Sequence, residues 1–394
     1  MISSPFFPLA TSTWDEQEYE AMQTVIRTGH FTMGAKVAEF EKQFAKQFGS
    51  KYCVMCSSGS TANLLMIAAL FYRKKAPLQR GDEVIVPAVS WSTTYYPLYQ
   101  YGLKLRFVDI NRETLNYDTD SLKAAISEKT RLVMAVNLLG NPNDFSVIKQ
   151  AIAGKQIELV EDNCESMGAM FDGQQCGTIG IMGTFSSFFS HHISTMEGGT
   201  VLTDDEELYH ILLSLRAHGW TRNLPKQNHV TGTKSDDAFE ESFKFVLPGY
   251  NVRPLELSGA IGIEQLKKID RFVTVRRQNA QDFVDLFGND ERWTIQKEIG
   301  KSSWFGFSFV LAERGPLERR ALVNHLAANG VECRPIVAGN FAKNPVVKWF
   351  DYEIDGDLPN ANLIDAKGFF VGNHQVRMST ELKKLKSVFN SFRT

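Results

Sequence analysis

Residues 157–165 read Ile-Glu-Leu-Val-Glu-Asp-Asn-Cys-Glu. The run Ile157–Glu161 has the length and β-branched character of a buried strand, and an acidic cluster follows it at once. The same grammar recurs upstream in Glu83–Pro87 (EVIVP), Lys104–Asp109 (KLRFVD) and Arg131–Val136 (RLVMAV). Helical patterns lie around these runs. Glu16–Thr28 and Ala35–Phe48 are amphipathic, and Thr61–Arg73 is an apolar helix after a Ser/Gly turn. Downstream, Gly199–Thr203 reads as a strand and Asp205–His218 as a helix. Strands alternating with helices predict parallel crossovers and an open α/β sheet. In such sheets ligands bind at the carboxyl ends of strands, which is where Asp162 falls.

Beyond the sheet the pattern changes. Thr221–Phe239 is polar and reads as a loop, long enough to be functional. Pro254–Val273 reads as one long helix. Then come a strand at Gly306–Leu311, a helix at Leu317–Asn329, strands at Gly330–Pro335 and Gly368–Val371, and a final helix at Glu381–Phe392. These predict a large α/β domain over residues 1–249 and a smaller α+β domain over 250–394.

Composition narrows the function. Among 394 residues, 43 Lys and Arg stand against 45 Asp and Glu, which excludes a strongly basic nucleic-acid binder. The start of the sequence has no basic stretch followed by an apolar run, so no secretory signal is expected. No run of about 18 apolar residues predicts a membrane span. The five scattered cysteines form a poor disulfide framework and fit a reducing cytoplasm. Cys53 and Cys56 make a lone CxxC without a second pair, so neither zinc nor an iron–sulfur cluster is expected.

Three clusters can carry chemistry. Ser57-Ser58-Gly59-Ser60-Thr61 opens an apolar helix. Free amides, hydroxyls and the positive end of the helix dipole make a phosphate cup there; the plainer alternative is capping by Ser60. Glu161-Asp162-Asn163-Cys164-Glu165 follows the strand. An acid there can accept from a protonated ring nitrogen and keep it charged, or it can cap a helix. Third is Phe185-Ser186-Ser187-Phe188-Phe189-Ser190-His191-His192, ahead of Glu197-Gly198-Gly199. The adjacent histidines point different ways and lack a third ligand, so metal binding is a poor fit. A general base suits better, because imidazole titrates near neutral pH.

Taken in order, these clusters and Ala88-Val89-Ser90-Trp91-Ser92-Thr93 resemble the pyridoxal-phosphate-dependent sugar aminotransferases (the DegT/DnrJ/EryC/StrS family). Phe40-Glu41, Gly81-Asp82-Glu83, Val108-Asp109-Ile110 and Gly249-Tyr250-Asn251-Val252-Arg253 extend the resemblance over nearly the whole chain. It implies the type I, aspartate-aminotransferase-like fold, with a mostly parallel central sheet and a smaller C-terminal α+β domain. One departure bears on the reaction. Family aminotransferases carry a lysine seven residues before Gly198, where it holds the cofactor covalently and shuttles protons; here that residue is His191. Imidazole moves protons but cannot form the covalent link. Four stretches match a dehydrating branch that acts on GDP-linked keto-deoxysugars: Phe31–Gly34, Ser90–Tyr96, Asn137–Pro142 and Arg216–Asn223. Ser190–Ile193 and Val371–Gln375 match it as well.

The resemblance implies non-covalent pyridoxal phosphate, with pyridoxamine phosphate as the working form. Gly59, Ser60 and Ser186 would take the phosphate, joined by Asn251 from a partner subunit. Asp162 would hold the ring nitrogen with Glu165 nearby, and Trp91 would stack on the ring. His191 would be the catalytic base and acid, with a pKa near the working pH. Met33, Ser190, His218, Arg222, Arg253 and Glu332 are the substrate-side candidates. Arg253 suits the glutamate carboxylate. Arg222 alternatively makes a surface ion pair, and Glu332 either meets sugar hydroxyls or pairs near Arg334. The expected partners are a GDP-sugar, L-glutamate and a second copy of the chain, with no nucleic acid and no membrane. Competing readings are a GDP-sugar 4-aminotransferase, a CDP-sugar dehydrase with an iron–sulfur partner, and a non-catalytic cofactor-binding protein.

Overall fold

The structure, a computed structural model, describes residues 5–315 and 317–392. Its centre is an eight-stranded sheet. The strands run in the order Tyr52–Cys56, Gly199–Thr203, Met182–Ser186, Glu158–Asp162, Thr130–Val136, Glu83–Pro87, Lys104–Val108 and Tyr352–Ile354. Gly199–Thr203 is antiparallel to both its neighbours, and every other pairing is parallel. A parallel strand must be fully covered, which explains why these runs read as continuous apolar stretches. The helix Gly59–Tyr72 is apolar on all sides because it is buried between the sheet and the helices Ser92–Gln100 and Glu206–Leu215.

Helices Glu16–Thr28 and Ala35–Phe48 fall where their periodicity put them. Several strands escaped the sequence reading, Trp293–Ile295 and the edge strand Tyr352–Ile354 among them. Tyr52–Cys56 was obscured by its cysteines, and Met182–Ser186 lies inside the Ser/Phe/His segment. Cys53 and Cys56 are three apart on a strand, so they enter separate cores, and both are buried free thiols. The helix predicted over Pro254–Val273 divides into Glu256–Leu266 and Ile269–Phe287. The break falls where Lys268 turns inward, its Nζ 2.7 Å from Glu18 Oε1 and 2.8 Å from Asp15 Oδ1. The Thr221–Phe239 segment is more ordered than a loop. It pairs Gln227–Asn228 with Gly232–Thr233, because the Asn228 carboxamide oxygen accepts from the Val230 and Thr231 amides at the turn.

A second, antiparallel sheet orders Trp293–Ile295, Gly306–Leu311, Gly368–Gly372 and Cys333–Arg334. It packs against Ile269–Phe287 and Ser379–Ser391 around a Phe-rich core. The sequence boundary at residues 249 and 250 is crossed repeatedly in space. Phe7 belongs to this second core, Glu256–Leu266 packs on the first two helices, and Tyr352–Ile354 extends the large sheet. The first two of these bury apolar faces, while the strand Tyr352–Ile354 satisfies the backbone of a sheet edge and leaves Ile354 exposed.

Candidate active site

Glu161 and Asp162 end the strand Glu158–Asp162, and successive strand residues point to opposite faces. Glu161 therefore turns away from the site and accepts from the Gly177, Ile179 and Gly180 amides at 2.7–2.8 Å. Asp162 turns toward a cavity of about 840 Å³. Its Oδ2 accepts from Asn63 Nδ2 and Thr94 Oγ1, both at 2.8 Å, and its Oδ1 accepts from the Cys164 amide at 3.1 Å. Asp162 is 5% exposed, and Oδ1, with the weaker protein contact, keeps acceptor capacity for a ring N–H.

At the same wall begins the helix Gly59–Tyr72. Ser58, not Ser60, is its cap: Thr61 N donates to Ser58 Oγ at 3.2 Å, and Ser58 N donates back to Thr61 Oγ1 at 3.0 Å. The Gly59 and Ser60 amides have no protein partner among the described residues, which leaves them as the anion donors of the helix start. Gly59 is required sterically, since a Cβ there would lie 2.6 Å from Ser186 Cβ and 2.9 Å from Cys164 Sγ. Ser60 Oγ donates to Thr93 Oγ1 at 3.2 Å. Trp91 borders the cavity and is 57% exposed, so its indole offers an apolar face. A phosphate cup, a buried acid held by neutral donors and a free aromatic face together fit a phosphorylated pyridine cofactor.

His191 lines the cavity beside Ser190. Its Nδ1 is shielded and makes no hydrogen bond of ordinary geometry among the described residues. Burial, and then the Arg276 charge, lowers its pKa to about 4. This differs from the expected near-neutral value, because the sequence shows neither the depth of the ring nor the arginine behind it. His192 faces elsewhere, its Nε2 3.2 Å from the Ser303 carbonyl oxygen. Glu165 also lines the cavity and accepts from the Leu139 amide at 2.9 Å. Burial raises its pKa to about 7, well above the ordinary carboxyl range.

The cavity thus gathers Gly59, Ser60, Trp91, Asp162, Glu165, Ser186, Ser190, His191 and Glu332. Glu332 Oε2 accepts from the Leu9 amide at 2.9 Å, in place of an arginine neighbour. Met33, His218, Arg222, Asn251 and Arg253 are not in its lining. Met33 packs beside the core under the first helices. The other four gather at Trp220. The Arg222 and Arg253 guanidinium carbons lie 4.3 and 5.6 Å from its ring centroid, and the His218 ring lies 5.0 Å away. Asn251 Oδ1 accepts from Arg253 Nε at 3.0 Å. Arg222 donates to the Ser242 carbonyl rather than to a carboxylate, so the alternative of a surface ion pair is absent among the described residues.

Sequence reasoning missed Asn63, Thr94 and Phe305. Asn63 had a signal, being the one amide in an otherwise apolar helix. Thr94 lay inside the quoted Ser90–Tyr96 stretch but was given no role there. Phe305 had no local signal at all.

A profile of the DegT/DnrJ/EryC1/StrS aminotransferase family matches residues 12–392. A GDP-4-keto-6-deoxy-D-mannose 3-dehydratase of Yersinia pseudotuberculosis is 64% identical over 383 residues, 97% of this chain and 98% of its own length. A crystal structure of a GDP-4-keto-6-deoxymannose-3-dehydratase, a histidine-to-asparagine mutant with bound GDP-perosamine, superposes with a TM-score of 0.96 at 61% identity and covers 97% of this chain and 100% of its own. Another, with a trapped PLP-glutamate geminal diamine, has the same TM-score of 0.96, identity of 61% and coverages of 97% and 100%.

Proposed function

The chain belongs to the DegT/DnrJ/EryC1/StrS aminotransferase family, and from that premise we propose that it is a lyase acting on GDP-4-keto-6-deoxy-D-mannose. It removes the C3 hydroxyl and yields GDP-4-keto-3,6-dideoxy-D-mannose. Glutamate provides the amino group and the two electrons and leaves as 2-oxoglutarate, while ammonia is released. The observation that carries this reading is His191, an imidazole where family aminotransferases hold lysine, in a cavity that retains the phosphate cup and Asp162. The 64% identity to a 3-dehydratase over nearly full length supports it.

Pyridoxal phosphate, when bound, supplies the electron sink and, as pyridoxamine phosphate, the amine that engages the sugar ketone. Gly59, Ser60 and Ser186 hold its phosphate, Asp162 its ring nitrogen and Trp91 one ring face, with no covalent anchor. Offset stacking adds roughly 0.5–1.5 kcal/mol beyond burial and offsets part of the missing covalent link. Glu165 stands beside Asp162 as a further polar contact. His191 is neutral near pH 7, so it accepts a proton at the reacting carbon. Once protonated in this desolvated position it surrenders that proton readily to the departing C3 hydroxyl. Without a lysine, no side-chain amine completes an ordinary transamination.

The active unit in this reading is a homodimer. Phe239 is 88% exposed and stands with Phe243 and Phe245 near Arg222, and an exposed apolar patch of this kind marks an interface. Asn251 of the partner subunit then reaches the cofactor phosphate. Met33, His218, Arg222 and Arg253 likewise serve the neighbouring site, while Ser190 and Glu332 serve their own. In this reading the enzyme is cytoplasmic and serves colitose and O-antigen precursor synthesis; among the described residues no helix is long and apolar enough to cross a membrane. The test is incubation of purified protein with pyridoxal phosphate, glutamate and the GDP-keto-sugar. Ammonia with a sugar lighter by one oxygen atom is expected. A stable amino sugar without ammonia would make the protein a 4-aminotransferase of the perosamine-synthase kind.

A further inference from the structure

A catalytic imidazole is ordinarily aimed by a hydrogen bond to its second nitrogen. His191 Nδ1 is shielded and makes no hydrogen bond of ordinary geometry among the described residues; the nearby Phe188 carbonyl is already taken by the His191 amide at 2.9 Å. Aromatic packing is what remains to aim it. The Phe305 ring lies 5.2 Å from the His191 ring at 59°, and the Phe188 ring lies 6.0 Å away, edge-on. Phe188 sits on the open side of the cavity, whereas Phe305 is held from behind.

The Phe305 backbone is clamped at both ends. Its N–H donates to the Leu139 carbonyl at 2.9 Å, and its carbonyl accepts from Arg276 Nη1 at 3.1 Å. Two non-glycine residues around this clamp sit in the left-handed region, Leu139 at φ 53° and Trp304 at φ 49°. Such conformations persist only where the surroundings over-determine them, and they concentrate at functional sites. Between them Gly140 leaves no room for a side chain, since a Cβ would lie 2.5 Å from the Trp304 nitrogen. Arg276 is 3% exposed, and its hydrogen-bond acceptors among the described residues are backbone carbonyls rather than a carboxylate. Its other Nη1 contact is the Asn373 carbonyl at 2.7 Å. That contact absorbs the Val371–Gln375 stretch, which otherwise has no part in the chemistry. A buried cation without a counter-ion is costly, so an apolar residue would fill the space more cheaply unless the guanidinium has a task.

We propose that Phe305, fixed from behind by Leu139 and Arg276, is a positioning residue for the reaction: its ring sets the plane of the His191 imidazole and keeps water from its inner nitrogen. His191 then exchanges protons through one nitrogen only, the one open to the cavity. The inference rests on His191 being the proton carrier of the proposed dehydration.

The test compares Phe305→Tyr, Phe305→Leu and Phe305→Ala with the parent protein and with His191→Asn. A misaimed group costs up to about 100-fold, so kcat for dehydration is expected to fall roughly ten- to 100-fold in Phe305→Leu, with KM for the GDP-sugar little changed. Phe305→Tyr keeps the ring and should keep most of the rate. The second readout is the ¹⁵N spectrum of histidine-labelled, cofactor-free protein, with His191 assigned by its loss in His191→Asn. One neutral tautomer is expected in the parent and in Phe305→Tyr, and averaged shifts in Phe305→Leu and Phe305→Ala. Should Phe305→Ala not fold, Phe305→Leu carries the comparison alone. A parent-like rate and a single tautomer in Phe305→Leu, with His191→Asn inactive, overturns the inference and spares the function. Dehydration surviving in His191→Asn overturns the function itself.

Discussion

The wall around Asp162 and the ridge around Trp220 both hold charged residues beside an aromatic ring, but under opposite conditions. On the wall, Asp162 is buried and takes three donors within the chain, at 2.8–3.1 Å. On the ridge, Arg222 and Arg253 lie over Trp220 with no carboxylate among the described residues, and the adjacent phenylalanines face solvent. The wall is preorganised, because its dipoles are fixed before any ligand arrives and cost no rearrangement at reaction. The ridge has donors to spare and lacks its acceptors. Residues read from the sequence as one site therefore divide into a part complete in a single chain and a part that, in the proposed dimer, would serve the neighbouring site.

The sharpest way to break the comparison is His191→Asn on the wall. Dehydration should fall about 10²–10⁴-fold, the usual contribution of a general acid–base, while the absorbance of bound pyridoxal phosphate persists. A normal rate would remove His191 from the mechanism.

Mixing subunits tests the division directly. If Asn251 works in the neighbouring site, His191→Asn and Asn251→Ala chains are each poorly active as homodimers. Re-associated from an equal mixture, they should recover about one quarter of the parent sites. Each mixed dimer rebuilds one intact site, and mixed dimers form half the population. No recovery would return Asn251 to its own chain's site.

The wall also carries a pH signature. Relative to an ordinary carboxyl at 4.5, the Glu165 pKa of about 7 is raised. Its contribution to stability is therefore full below pH 4.5 and is lost as pH rises through about 7. His191 is lowered from 6.5 to about 4, so its contribution is full above pH 6.5 and is lost as pH falls through about 4. For cofactor-free protein, the unfolding free energy from urea titrations between pH 5 and pH 8 should rise at the alkaline end on Glu165→Gln, by an amount on the order of 1–3 kcal/mol. An unchanged profile would mean that Glu165 is better solvated than its position implies.

The smallest effect belongs to the ridge. Arg222→Ala should change chain stability by less than about 0.5 kcal/mol, as exposed substitutions do, while raising KM for the GDP-sugar. A large loss of stability with unchanged KM would make the ridge a structural element.

Local signals in the chain place the alternation of strands and helices, the Ser/Gly turn at Gly59, the acid at Asp162 and the histidine at 191. Each is written in hydrophobic period, in a turn at a helix start, or in the residue type at one motif position. The sequence did not show the strand at Met182–Ser186, whose apolar and hydroxyl residues alternate too weakly to separate from the site motif around them. Nor did it show that Asn63 and Thr94 hold Asp162, that Leu9 holds Glu332, or that Phe305 stands behind His191. These pairs lie 99, 68, 323 and 114 residues apart in the chain, and no periodicity spans such distances. The depth of His191 and the arginine charge beside it arise only on folding. Burial and long-range electrostatics depend on what the fold brings together, and they set the proton affinity on which the chemistry turns.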